Sequence, residues 1–530
     1  MLRGIFSFLR GIFALFFRSL RTDSRSIRIH LMWFLLMIVI YGSLWVAREM
    51  SAMFGAPGLF FFRIVMYLNA GFITLLGITF FSNAISEEKE EDTLGLMTMA
   101  GISPLGLLLG KSTSRLFQVV LLLAIQYPFT LLAVTMGGLL PTQIFSAYMS
   151  LLAYTILLAN VGLICSVACR TSRNASGLTT LWLVGYLSAP LFALAGHSYL
   201  TTERNWSEKS GFIRASVLTC LNWIFQSPVY IELYAATETG HRFTWSAQLI
   251  SNSVGGVVLF LLAWILFGYV AKEPELDGTE RGMVARRTNR RLSWFSAGRT
   301  WRHPLVWKDF FFVAGGWAGL LIRCLLYCGL FGLCYGANSS WYVNSGISLR
   351  WPDVVRGFQV FAHPLLALDI ALCASRVFQE EIKGQTLASL LMLPQSIPSI
   401  VYSKFGGCAL ASTPGVIALL CSLALPGGTE FIGELFRDAG LIWWIMNLVL
   451  VIHLTAVFSI YLRSGAFVLA IGGMICSMVL SSFVDYMIAV ATRGMYKPQE
   501  IHGHCAIGLA VICIACHGII LWRMPSLGEK

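Results

Sequence analysis

An all-α polytopic membrane protein with about 12 transmembrane helices is the fold class that three observations predict. The chain has 530 residues, of which 57% are hydrophobic and only 12% charged. A soluble domain carries roughly a quarter charged residues. Mean hydropathy is +0.72. The apolar runs also reach bilayer length: IHLMWFLLMIVIYGSLWVA (29–47) is 19 residues with one His at its edge, and a crossing helix needs about 20.

Apolar runs of that kind give twelve spans, at 29–47, 59–82, 104–134, 144–168, 175–196, 248–271, 312–334, 356–378, 397–425, 440–462, 465–488 and 504–523. Lys and Arg set the orientation. With the N-terminus inside, the cytoplasmic segments hold most of the 38 Lys and Arg residues, which is the positive-inside pattern. The segment 272–308 alone carries nine. Both termini are then cytoplasmic, and the net charge of +12 points to anionic lipid headgroups rather than nucleic acid. The chain divides into an interfacial N-terminal helix (1–28), a first six-span half (29–271), a basic cytoplasmic linker (272–308) and a second six-span half (309–530). In the first of these, Arg3, Arg10, Arg18 and Arg21 fall near one helical face, with Phe and Leu elsewhere, as in a helix lying on the membrane. A basic flank of the first span is the plainer alternative. The outer segment 197–247 contains apolar patches that suit a fold back against the membrane.

The thirteen cysteines are scattered, mostly within apolar spans, where Cys acts as a small hydrophobe. Cys513-Ile-Ala-Cys516-His517 has c-type haem spacing but lies in an apolar run, where no haem can be attached. No HExxH motif, paired carboxylates or nucleophile–His–acid spacing is present, so no catalytic residue, metal or bound cofactor is assigned.

SNAISEEKEEDTLGLMTMAGISPLGLLLGK (82–111) overlies SRVFQEEIKGQTLASLLMLPQSIPSIVYSK (375–404) at an offset of 293 without a gap. The coincidences are Ser82/Ser375, Glu87/Glu380, Glu88/Glu381, Thr93/Thr386, Leu94/Leu387, Met99/Met392, Ser103/Ser396 and Lys111/Lys404. The same offset pairs Arg63 with Arg356. Each segment stands at the end of its half's second span, on the cytoplasmic side. Six spans per half make the repeat parallel, with halves related by an axis along the membrane normal. The acidic segment suits a short amphipathic helix with its carboxylates toward the cytosol and Leu94, Met97 and Met99 toward the membrane. Positive-inside pressure favours Lys and Arg at such a place, so two matching acidic segments suggest a docking surface for a soluble partner.

The two segments resemble the signature of the ABC-2 type permease family, the membrane subunits of ATP-driven exporters. The matching residues are Glu87, Glu88, Glu90, Glu91, Thr93 and Leu94 with Ser103, Pro104 and Lys111, then Glu380, Glu381, Thr386 and Leu387 with Pro394, Ser396 and Lys404. The resemblance implies a type V exporter-like fold with two halves fused. It implies that these segments are coupling helices, and that the partner is a separate, dimeric ATPase subunit that consumes the ATP. The chain itself would then be no enzyme, and its home a bacterial cytoplasmic (inner) membrane. It departs from the family pattern at Asp92, where Gly is usual, and at Gln385, which separates Gly384 from Thr386.

Gly106-Leu-Leu-Leu-Gly110-Lys111-Ser112 imitates a phosphate-binding loop. That loop requires G-x-x-x-x-G-K-[ST] between a strand and a helix. Here the spacing is one residue short and the run enters the bilayer, so ATP is not expected to bind this chain. Within the spans, Arg323 and Asp369 stand at comparable depths. An ion pair orienting two helices, a role in substrate passage and no contact at all are the open readings. Asn69, Asn160 and Asn447 suit bridging between helices. Asp485 and His453 suit buried hydrogen-bonded positions or outer-end polar groups, with a proton relay as the alternative. The competing functions are an ion-gradient-driven secondary transporter and a non-transport envelope complex on the same scaffold. No pocket residue selects a substrate.

Overall fold

The structure is a computed structural model. It describes residues 36–44, 57–91, 93–99, 103–202, 212–238, 243–270, 299–345, 350–383, 386–428, 440–461, 466–491 and 498–528, with a few isolated positions besides. Nearly all of the N-terminal segment 1–28 and most of the linker lie outside the described residues. Every regular element among the described residues is helical, as the sequence predicts. Nine of these helices are long and apolar enough to cross a membrane, or ten if one bent pair counts as a single span. The chain separates into two compact units, Met1–Glu275 and Leu276–Lys530.

In the first unit, α1 (Pro57–Leu76) runs into a π-helical turn (Gly77–Phe81) and then the short helices α2 (Ser86–Glu90) and α3 (Thr93–Met99). Next come α4 (Pro104–Thr135), α5 (Pro141–Ala168), α6 (Ser172–Thr202), α7 (Phe212–Gln226), α8 (Val229–Ala236) and α9 (Ala247–Val270). Local chemistry sets the boundaries. Ser103 caps α4, its Oγ accepting from Gly106 N at 3.2 Å, with Pro104 beginning the helix, a position where a missing N–H costs nothing. Between α4 and α5 the chain reverses through Gly137 and Gly138, at φ +90° and +81°, conformations that glycine enters without steric cost. Gln143 Oε1 then accepts from Leu140 N at 2.8 Å at the start of α5.

The centre of this unit is α5, which packs against α1, α4, α6, α8 and α9. Close approach requires small residues. A Cβ on Gly162 would fall 2.7 Å from the backbone of Phe81, and one on Gly58 2.0 Å from the Ala133 carbonyl oxygen. Within 197–247, the described helices pack on the rest of the unit: α7 on α6, and α8 on α5 and α1. Arg63 donates to Thr237 Oγ1 and O at 3.3 and 3.2 Å, and Gln143 Nε2 to the Ala236 and Glu238 carbonyls at 3.1 and 2.6 Å.

The second unit opens with α10 (Pro304–Lys308) and a π-helical turn (Asp309–Val313). Leu305, Phe310 and Val313 enter its core. Within 304–308, assigned to the linker from charge, Leu305 is buried in this core and Val306 and Trp307 are half-buried, while Pro304 is exposed. Then follow α11 (Gly316–Ser345), α12 (Trp351–Lys383), α13 (Leu387–Leu391), α14 (Ile397–Ala411), α15 (Thr413–Leu423), α16 (Gly440–Tyr461), α17 (Ala466–Ala491) and α18 (Pro498–Gly528). The expected single span at 397–425 is broken. Helices α14 and α15 meet at Ser412 with a bend of 54°. Pro414 has no N–H for the residue 410 carbonyl and its ring crowds that group; Thr413 Oγ1 bonds the Leu410 carbonyl instead, at 2.7 Å.

Substituting Gly58→Ala is expected to destabilise the protein by roughly 1–3 kcal/mol, because the added methyl meets backbone rather than a side chain that can turn away. Gly71→Ala is the control, with nothing within 4 Å of its Cβ, and should be tolerated. Thermal unfolding in detergent measures both.

Candidate functional site

The two repeated segments carry the same interaction. In the first unit, the Glu88 carboxylate accepts from Thr93 Oγ1 and from Lys111 Nζ. In the second, the Glu381 carboxylate accepts from Thr386 Oγ1 and, at 2.9 Å, from Lys404 Nζ. Each partner is displaced by 293 positions. The helix starts that follow match as well: Ser103 and Ser396 are both N-caps, at φ −67° with ψ 147° and 145°. One acid thus clamps the short helix after it, through Thr, to the long helix after that, through Lys.

The clamp turns Glu88 and Glu381 inward, whereas a cytosol-facing amphipathic helix would show them outward. Glu381 is 3% exposed and Lys404 fully buried. A buried charge must be paired, and these side chains are long enough to reach one another. Lys404 Nζ also bonds both oxygens of Asp309 at 3.1 Å, and Lys308 Nζ donates to Glu381 at 2.7 Å. Burial pushes the Glu381 carboxyl up, but Lys308, Thr386 and Lys404 outweigh it and bring its pKa down to about 2. For Asp309 burial prevails over the attraction of Lys404, and its pKa is raised.

The first unit pins its segment differently. Lys89 Nζ donates to the Ser166, Val167 and Cys169 carbonyls at 3.3, 2.5 and 3.1 Å. Glu90 accepts from Ser172 N at 2.7 Å. The lysine satisfies orphan carbonyls at the end of α5 and the glutamate an N–H at the start of α6, each with the charge the helix dipole favours. Ser166 Oγ accepts from Ile85 N and Ser86 N at 2.7 and 2.8 Å, and Glu87 lies 3.4 Å from Arg115. Ser86 does not cap α2; the residue at that position is Ile85, and Ser86 is buried.

The short helices show an inner and an outer face. Leu94 and Met97 pack on the core formed by Ala84, Ile85, Leu107 and Leu108. Leu387 and Leu390 are buried in the second unit's core. Met99 differs from its expected inward position: it is 87% exposed, and Met392, its repeat counterpart, 84%. Leu96, Glu90 and Glu91 are also exposed. The Glu380 side chain lies outside the described residues. Lys111, which gave 106–112 its likeness to a nucleotide loop, is thus the partner of Glu88.

Away from these turns, Arg323 Nε donates to Asp369 Oδ1 at 2.8 Å, Nη1 to the Ala314 carbonyl at 3.0 Å and Nη2 to Cys373 Sγ at 3.0 Å. The two mid-span charges are therefore paired. Of the three asparagines, Asn447 bridges helices, its Oδ1 accepting from Ser477 Oγ at 2.6 Å. Asn160 bonds its own helix at Ile156. His453 Nδ1 lies 2.8 Å from the Val449 carbonyl, and the Asp485 side chain lies outside the described residues. Among the described residues no three His, Cys, Asp or Glu side chains are grouped to hold a metal.

Sequence reasoning missed Lys308, Asp309, Lys89 and Ser166 as supports of the turns. For Lys404 and Lys111 a signal existed in the repeat; for Asp309 none did, since its partner is 95 residues away. No protein-family model matches the chain, and no curated protein matches it.

Replacing Lys404 by Met leaves two buried carboxylates facing each other and is expected to cost about 3–5 kcal/mol. Lys111→Met should cost less, because Lys111 is 20% exposed. The depressed Glu381 pKa stabilises the fold above its ordinary value near 4.5, and that contribution is lost as pH falls toward 2. A Glu381→Gln variant should therefore show a flatter acid limb in unfolding measurements than the native chain.

Proposed function

We propose that this chain is the membrane permease subunit of an ABC-type transporter, acting in export and driven by a separate ATPase subunit. The observation that carries the reading is the repeated clamp, Glu88–Thr93–Lys111 and Glu381–Thr386–Lys404, each beside an exposed methionine. Two six-span halves then place one clamped short helix each on the cytoplasmic side. Met99 and Met392 with Leu96 are the contact residues, and methionine suits an interface because its side chain adapts to the opposing surface. Glu90 and Glu91 supply charge at the rim in the first half.

On this reading the inward acids are positioning residues: they hold the short helices, and the residues at the helix tips touch the partner. ATP binds the partner, and movement of the short helix passes through Lys111 and Lys404 into the third span of each half. An ion-gradient-driven transporter is the competing reading. It gains support from the broken span at Ser412 and from Asp369, but it calls for matching features in both halves, and the first half has Leu76 and Val119 at those positions.

Co-expression with an ATPase encoded beside this gene tests the proposal. Affinity-tagged chain should retain the ATPase, and Met99→Glu with Met392→Glu should reduce retention at least tenfold while leaving the unfolding temperature in place. Retention equal to that of the native chain would falsify the coupling role of these tips.

A further inference from the structure

The break between α14 and α15 gathers buried polar atoms that no protein group satisfies. Tyr327 is 3% exposed and Ser412 2%. Tyr327 Oη, Ser412 Oγ and Asp369 Oδ2 have no hydrogen-bond partner, although each side chain could make at least one bond. Leaving such an atom dry costs about 1–3 kcal/mol.

Helix register brings the three to one level. Cys373 on α12 and Cys408 on α14 are buried in one core cluster. These helices are antiparallel, so one turn along each, away from the 384–396 turn, carries Asp369 and Ser412 to the same level. Asp369 is fixed there by Arg323. Tyr327 stands one turn beyond Arg323 on α11, and its Oη lies 2.5 Å from where a Cβ on Gly415 would be. Gly415 is itself bonded through its N–H to the Ser412 carbonyl at 3.2 Å. The break at Ser412-Thr413-Pro414-Gly415 therefore borders all three atoms.

The first half supplies a comparison. At the offset of 293 it has Phe34 for Tyr327, Leu76 for Asp369, Val119 for Ser412 and Leu122 for Gly415, and its α4 is unbroken. In the first unit α1 and α4 thus form with apolar residues at the places of Asp369, Ser412 and Gly415, so helix formation does not demand the polar set.

Charge narrows the occupant. Arg323 already neutralises Asp369, so a metal cation would put an uncompensated charge beside a guanidinium in a low-dielectric setting. An apolar group would satisfy none of the three atoms. A hydroxyl both donates and accepts: it can donate to Asp369 Oδ2 while accepting from Tyr327 or Ser412. We infer that the break of α14–α15 is a binding site for a neutral hydroxyl group, formed by Asp369, Tyr327 and Ser412, and filled by water or by the hydroxyl of a bound solute. The site lies within the second unit and stands independently of any ATPase partner.

The test is a double-mutant cycle on the full chain, purified in detergent without polyols. Tyr327→Phe and Ser412→Ala each remove one oxygen and little volume. A hydroxyl bridging both predicts that each substitution lowers the unfolding temperature by about 2–4 °C, and that the double variant loses no more than the worse single one. Unchanged or raised unfolding temperatures overturn the site, because they show that the two hydroxyls were simply unsatisfied. Strictly additive losses overturn a shared occupant. Glycerol at molar concentration then separates the sources: a larger gain for the native chain than for the double variant assigns a solute hydroxyl, and equal gains assign water.

Discussion

One buried ammonium organises the second half of this protein. Lys404 is fully out of contact with solvent and sits between Asp309 and Glu381. A lone lysine there would lose its proton or drag water inward, so its burial requires the two acids, and each acid requires it. The three residues come from the turn after α10, the end of α12 and the middle of α14. Their mutual need fixes where those elements meet. Thr386 extends the contact to the start of α13, so the position of the exposed tip at Met392 follows from a charge balance behind it.

The first half reaches the same arrangement with different supports. Glu88, Thr93 and Lys111 repeat the clamp, but the charges are less deeply buried, with Lys111 20% and Glu88 12% exposed. Lys89 and Glu90 add contacts to the two helix ends at the α5–α6 turn. The second half has Ile382 in place of Lys89, packed against its core, and takes its extra charges from Lys308 and Asp309. The same tip can therefore be held by helix-end hydrogen bonds or by a buried ion cluster. This difference gives a physical reason for the two short helices to differ in how firmly they are held.

Polar groups inside the spans divide between structural and unused ones. Arg323, with Asp369, Ala314 and Cys373 around its guanidinium, joins α11 to α12 and leaves little of its charge unbalanced. Asn447 with Ser477 joins α16 to α17. Among the described residues of this unit, three of the buried atoms left over, Tyr327 Oη, Asp369 Oδ2 and Ser412 Oγ, belong to residues on or beside the broken span. There the helix backbone also lacks its regular bonds, so polar side chains and freed backbone groups occur together, as they do where non-helical backbone lies within protein rather than lipid.

The sequence by itself determined the helical class, the places of the long apolar runs and the residue coincidences at an offset of 293. These features rest on short-range patterns: apolar run length, capping Ser with Pro, and coincidence of residue types at one offset. It also exposed the lysines of the clamp, as Lys111 and Lys404 in the aligned segments, and the depths of Arg323 and Asp369. Only the tertiary structure decided which way Glu88 and Glu381 face, that Met99 points outward while Leu94 points inward, that Leu305 enters the second core, and that Asp309 shares a lysine with Glu381. Those outcomes depend on partners tens of residues away in the chain. A carboxylate in a short amphipathic helix looks solvent-directed until a buried lysine from another helix comes within hydrogen-bonding reach, and no local periodicity carries that information. Pro414 was visible all along, yet a proline in a span can be tolerated or can break it. The packing of Gly415 against Tyr327 and the bond from Thr413 to the freed carbonyl accompany the break here.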